Sequence, residues 1–139
     1  FAESALSKLE REMIAVAVSS ANRCYYCLVA HGAEVRRLSG DPELGEMMAL
    51  NYRVAKLPAR QRAMLDYAWK LTTTPWLIED ADRDALRAAG FENGDIFDLS
   101  ETIGFYNLSN RMAAAVDMMP NREYHRSDRG EPYLPPKRK

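Results

Sequence analysis

Arg23-Cys24-Tyr25-Tyr26-Cys27-Leu28-Val29-Ala30-His31 is the stretch on which the reading of this chain turns. On a helix it places Cys27 at about 300° and His31 at about 340° from Cys24, an arc of roughly 60° in all. Thiol, thiol and imidazole then form one vertical stripe. Asn22 is suited to cap this helix, which is expected from about Arg23 to Ser39, with Gly40 where a left-handed C-terminal cap belongs. Such a cap puts Cys24 in the first turn, where unpaired N–H groups and the positive dipole end favour a thiolate. His31, one turn beyond Cys27, is placed to take its proton directly or through a water.

Outward from this stretch the chain reads as a succession of helices. Residues 5–21 carry Leu6, Leu9, Met13, Ile14, Ala17 and Ala21 at spacings of three and four, with Ser7, Lys8, Glu10, Arg11 and Glu12 on the other face. Asp41-Pro42 starts a helix over 42–56 and Leu57-Pro58 separates it from another over 59–72. Thr72 to Pro75 is a loop, and a short helix over 80–89 ends at Gly90. The last helix is expected over 95–118, stopped by Pro120. No segment alternates as a strand does. The fold class is therefore all-α, an assembly of about six helices packed in pairs, forming one domain over 1–126. Residues 127–139 read as a Pro- and charge-rich tail, and the segment from Pro120 onward is either exposed or an arm docked through Tyr124, Tyr133 and Leu134 onto a neighbouring subunit. His125 reads as part of that docking.

Composition narrows the function. Lys and Arg number 19 against 20 Asp and Glu, a net charge of −1, which speaks against nucleic-acid and membrane-surface binding. The longest apolar run, Met13 to Val18, is too short to cross a bilayer. No signal peptide is visible, and two cysteines make no secreted disulfide framework, so a cytoplasmic protein is expected. The first residue is Phe rather than Met, as in a fragment or processed form.

Glu12, on the preceding helix, joins the stripe if the two helices fold back on one another. A buried carboxylate beside two sulfurs would shuttle protons. Two other readings of the trio stay open at this level. The cysteines are small buried apolar residues, or Cys24, Cys27 and His31 are zinc ligands with Glu12 as a fourth. On the last helix, Ile96, Leu99, Ile103 and Tyr106 form an apolar stripe into which Asn107 and Asn110 fall, with Arg111 at its edge. These amides either bond between helices or subunits, or line a substrate pocket over the cysteines.

Glu12, Cys24, Cys27 and His31 together match the active-site pattern of the AhpD-like alkylhydroperoxidase, or carboxymuconolactone decarboxylase, superfamily. Glu10 to Ser19, Asn107-Leu108-Ser109-Asn110-Arg111-Met112 and Pro120 to His125 extend the resemblance to the peroxidase-related branch, over about residues 5–126. The resemblance implies an all-α, homo-oligomeric protein, trimeric or hexameric, without a cofactor or metal. It implies a thiol-dependent peroxidase in which Cys27 is the peroxidatic thiol, Cys24 the resolving one, and His31 and Glu12 the proton relay. It also implies an external dithiol donor, lipoyl-type or thioredoxin-like. The best-known enzymes of this kind have a His just before the second cysteine. Here Tyr26 stands there, which shortens the relay and leaves Tyr26 to pack or to donate a hydrogen bond in the pocket. The rival readings are a non-redox enzyme of the carboxymuconolactone decarboxylase type and a non-catalytic helical assembly module.

Overall fold

The structure, a computed structural model, describes residues 4–130. Its elements are α1 (Lys8–Ala21), α2 (Tyr25–Ser39), α3 (Pro42–Asn51), α4 (Ala59–Thr73), α5 (Asp80–Ala88), α6 (Asn93–Ala115) and α7 (Arg122–Arg126), with short 3-10 turns at Tyr52–Val54 and Pro75–Leu77. No strand occurs among the described residues.

Helix α1 is the axis of the fold. Ser7 and Glu10 form a reciprocal capping box at its start. Met13 to Ser19 are then buried without a break, so the helix is enclosed on all sides by α2, α3, α4 and α6. The expected amphipathic pattern fails here because the run Met13 to Val18 supplies apolar groups to every face. Each fully buried Met, Ile or Val there contributes about 1.5–3 kcal/mol relative to exposure. Even Glu10 is buried, its charge met by Arg60 at 3.3 Å. Met48, Tyr52, Met64, Leu65, Leu86, Leu99 and Ile103 complete the core from the surrounding helices.

The turn between α1 and α2 differs from expectation in a way that matters for the site. Asn22 is the C-cap of α1, not the N-cap of α2. Arg23 takes the left-handed conformation at φ 54°, and the Cys24 N–H returns to the Ser19 carbonyl at 2.9 Å. Arg23 N–H also reaches Ser20 O at 3.2 Å, completing a Schellman closure with Arg23 in the position usually given to Gly. Cys24 is at once the last residue of that closure and the N-cap of α2. Its backbone is extended, so it lies outside the helix on which the stripe was drawn. Asn22 cannot cap α2 because its amide is spent on α6, at Asn107 and Asn110.

The remaining boundaries shift for local reasons. Helix α3 ends at Asn51, whose side chain accepts from Arg53 N–H and starts a 3-10 turn. Helix α6 ends at Ala115 because Asp117, at φ 52°, closes another Schellman turn with Met118 N–H on Ala113 O. The segment after Pro120 forms the seventh helix, α7. It is held by Arg36 of α2, buried to 4% exposure, which donates to the carbonyls of Tyr124 at 2.6 Å and Ser127 at 2.9 Å. Tyr133 and Leu134 lie outside the described residues.

Candidate active site

Folding α2 back along α1 returns Glu12 to the stripe. Glu12 lies ten residues before Asn22 and His31 nine after it, so the hairpin brings them level. His31 Nδ1 and Glu12 Oε2 are 2.7 Å apart, with both side chains about one-fifth to one-quarter exposed. The Nδ1–H donates to the carboxylate, which fixes the tautomer and leaves Nε2 as the basic nitrogen. The imidazole stands edge-on to the Tyr106 ring, 5.1 Å between centroids at 71°. Burial, and then the Glu12 charge, push the Tyr106 phenol up to about 12, so it is no base near neutrality.

The cysteines occupy the other end of the stripe. Both are free thiols and both are buried, Cys27 to 1% exposure. They pack against Ala113 of α6, with Tyr26 alongside. Cys24, and Asn110 and Ser109 of α6, are the neighbours that bear on the acidity of the Cys27 thiol. Burial pushes the Cys27 thiol up to about 11, and the Cys24 hydrogen bond adds to this against the opposing bond from Asn110. Cys27 is therefore held as a neutral thiol. The helix-start argument for a thiolate does not carry over to it, because removal from water outweighs the helix end.

Helix α6 thus runs antiparallel to α2 and mirrors it. Tyr106 faces His31, Ser109 and Asn110 face Cys27, and Ala113 faces Cys24. Asn110 is buried, and it and Asn107 bond between helices: Asn22 Nδ2 reaches Asn107 Oδ1 at 2.9 Å and Asn110 Oδ1 at 3.0 Å. Asn110 Nδ2 donates to Ser19 Oγ at 2.9 Å. Asn110 and Arg111 also border a cavity of about 270 Å³ with Asn22, Arg23 and Cys24. Tyr26 borders a neighbouring one of about 180 Å³ with Cys24, Tyr25, Met118 and Met119. Asn107 borders neither. His125 Nε2 lies 3.3 Å from Tyr25 Oη, which docks α7 against the head of α2.

A larger cavity of about 450 Å³ opens on the Glu12–His31 pair, between α2 and α7, bordered also by Glu34, Arg37, Glu123 and Tyr124. Among the described residues no three His, Cys, Asp or Glu side chains converge to hold a metal ion. None of their helices is long and apolar enough to cross a membrane. Sequence reasoning missed Ser109, Ser19 and Tyr106 as neighbours of the stripe. Ser109 was findable, since it follows Tyr106 by three and precedes Ala113 by four on one helix face.

Comparison with known proteins places the chain. Residues 1–68 match the model of the carboxymuconolactone decarboxylase family. An uncharacterized peroxidase-related protein from Silicibacter sp. TM1040 is 63% identical, with a TM-score of 0.90 over 91% of this chain and 66% of its own. An uncharacterized peroxidase-related protein from Ralstonia eutropha JMP134, described as an alkylhydroperoxidase AhpD core, is 45% identical, with a TM-score of 0.88 over 91% of this chain and 67% of its own. The chain thus spans about two thirds of the length of these two structures. A protein of unknown function from Agrobacterium tumefaciens, for which an antioxidant-defence AhpD assignment has been suggested, is 23% identical, with a TM-score of 0.72 over 84% of this chain and 80% of its own, and shares the fold. No curated protein matches.

Proposed function

The chain belongs to the carboxymuconolactone decarboxylase family, in its AhpD-like, peroxidase-related branch, and from that premise we propose that it is a thiol-dependent peroxidase. One observation carries the reading: two buried free thiols packed in one cluster stand at the head of a helix whose next turn presents an imidazole held by a carboxylate. In the proposed cycle His31 Nε2 takes the Cys27 proton, and the thiolate attacks one oxygen of the hydroperoxide. The O–O bond breaks, the alcohol leaves with a proton, and Cys27 becomes a sulfenic acid. The Cys24 thiol condenses with it, releasing water and forming the disulfide. An external dithiol, lipoyl-type or thioredoxin-like, then reduces that bond by exchange. Because burial holds the Cys27 proton tightly, the Glu12–His31 pair is asked to supply more than it would beside an acidic thiol.

Self-association belongs to the same proposal. Leu108, Met112, Val116 and Met119 are all more than half exposed along one side of α6 and the turn after it. A helix that is apolar on both its core side and its outer side is suited to burial against a second copy. A second reading, a non-redox enzyme of the carboxymuconolactone decarboxylase type, is favoured by one observation. The cavity of about 450 Å³ opens on Glu12 and His31 rather than on the thiols.

The test is consumption of hydrogen peroxide or an organic hydroperoxide by the reduced protein with a dithiol. Cys27→Ser is expected to abolish turnover while the circular dichroism spectrum stays unchanged. Turnover unaffected by Cys27→Ser overturns the redox reading. Loss of another reaction in Glu12→Gln alone favours the second.

A further inference from the structure

Two cavities meet on one sulfur. Cys24 borders both the cavity of about 270 Å³ and the one of about 180 Å³, and Cys27 borders neither. Cys24 is also the less buried of the two thiols, at 6% exposure against 1%. The larger cavity is walled by Asn22, Arg23, Cys24, Asn110, Arg111 and Ala114, with two guanidiniums and no carboxylate among the described residues. The smaller one shares Arg23, adds Met118 and Met119, and carries one carboxylate, Asp117. Arg23 and Arg111 are both exposed. Arg111 uses only Nη1, which donates to the carbonyl and to Oδ1 of Asn107, both at 3.1 Å. Its Nε and Nη2 have no partner among the described residues, and neither has the Arg23 side chain. Arg23 holds a φ of 54°, which Gly or Asn adopts more readily than Arg. The turn would be better served by either, so nothing in the fold accounts for a guanidinium at this position beside the thiol.

We infer that the cavity over Cys24 receives an anionic thiol, with Arg23 and Arg111 pairing to its acid group while its sulfur meets Cys24. Given the reading of Cys24 and Cys27 as a pair that cycles through a disulfide, on which this rests, the reductant is a dithiol that carries a carboxylate or sulfonate. Its thiolate attacks Cys24 Sγ. The Cys24–Cys27 bond breaks, Cys27 leaves with the electron pair and takes up a proton, and the donor is held in a mixed disulfide on Cys24. The donor's second thiol loses its proton and attacks the donor sulfur of that bond. Cys24 leaves and is protonated, and the donor departs as an internal disulfide, having given up two electrons. A guanidinium presents paired N–H groups that match the two oxygens of a carboxylate. A concave wall of one sign of charge also concentrates anions near the sulfur.

The probes are iodoacetate and iodoacetamide, alkylating agents of nearly the same size of which only the first is an anion. Each is reacted with the reduced, folded protein, and modification of Cys24 is read by mass spectrometry. The ratio of the two rates is compared with that of the chain unfolded in urea. Burial and thiolate fraction act on both reagents alike and cancel in the ratio. The ratio is expected to be about fivefold higher in the folded protein. It should fall to the unfolded value in about 1 M salt, where the Debye length shrinks to about 3 Å. Arg23→Asn, which suits the left-handed turn, and Arg111→Gln are each expected to lower it, and Arg111→Lys to keep most of it. A folded ratio no higher than the unfolded one overturns the inference, as does a folded Cys24 that neither reagent reaches. So does a raised ratio that Arg23→Asn and Arg111→Gln both leave unchanged; if Arg111→Gln does not fold, Arg23→Asn alone decides. No peroxide enters the measurement, so a protein inactive toward peroxides whose Cys24 still prefers the anion refutes the peroxidase reading and leaves the anion site standing.

Discussion

The neutral state of Cys27 makes a quantitative prediction about its reactivity. Its thiol is pushed up to about 11 from an ordinary value of 9.0, first by burial and then by the bond to Cys24. At pH 8 the folded protein then holds about one part in a thousand of Cys27 as thiolate, against about one part in ten for the unfolded chain. The more basic thiolate is intrinsically the better nucleophile, which returns about tenfold of that hundredfold deficit. Iodoacetamide should therefore modify folded Cys27 about tenfold more slowly than the unfolded chain at pH 8, and slower still where access is restricted. The logarithm of the rate should climb with unit slope up to about pH 10 rather than level off near pH 9. The same shift acts on stability. Between about pH 9 and pH 11 the unfolded chain has released the Cys27 proton and the native chain has not, so stability is full below pH 9 and falls as pH rises through that window. The loss is on the order of 2 kcal/mol, read as a difference in pH slope between wild type and Cys27→Ser in urea unfolding. A plateau in the alkylation rate below pH 9, or identical slopes for the two proteins, would refute the reasoning.

Other outcomes follow from the proton relay and the packing. Glu12→Gln keeps a hydrogen-bond acceptor near His31 but removes the charge, and His31→Gln removes the base. Both are expected to slow sulfenic acid formation, His31→Gln by about 10²–10⁴-fold, in single-turnover reaction with peroxide, with little change in the alkylation of the unfolded chain. Gly45→Ala is expected to destabilise by about 1–3 kcal/mol in denaturant melts. A Cβ there would stand 2.9 Å from Arg36 Cγ and 3.3 Å from the Gly32 carbonyl, against a side chain that cannot yield while it holds α7.

Much of the fold was legible from local signals. Asp41-Pro42, Gly40, Gly90 and Pro120 punctuate the chain by backbone chemistry that acts within a turn, and the helices begin and end within a few residues of them. The failures at the site came from turns and amides whose roles are set outside their own segment. Arg23 and Asp117 adopt left-handed turns that their side chains do not advertise, so both ends of the site were misplaced by a residue or more. Asn22 was a good capping residue in isolation, but its amide went to α6, because a buried amide bonds wherever donors and acceptors remain unpaired.

The sequence by itself determined the helical class and the stripe of Cys27 and His31, since helical phase depends only on spacing. It also nominated Glu12, Cys24, Asn107, Asn110 and Arg111. Only the tertiary structure decided what these residues do to one another. Whether Glu12 meets His31 depends on how the hairpin closes. Whether Cys27 is thiolate or thiol depends on how thoroughly the packed helices exclude water from it. Which end of the Asn110 amide faces Ser19 depends on a guanidinium and a carbonyl at the far side of a network. Desolvation and hydrogen-bond direction are properties of the packed surroundings, and no local pattern carries them.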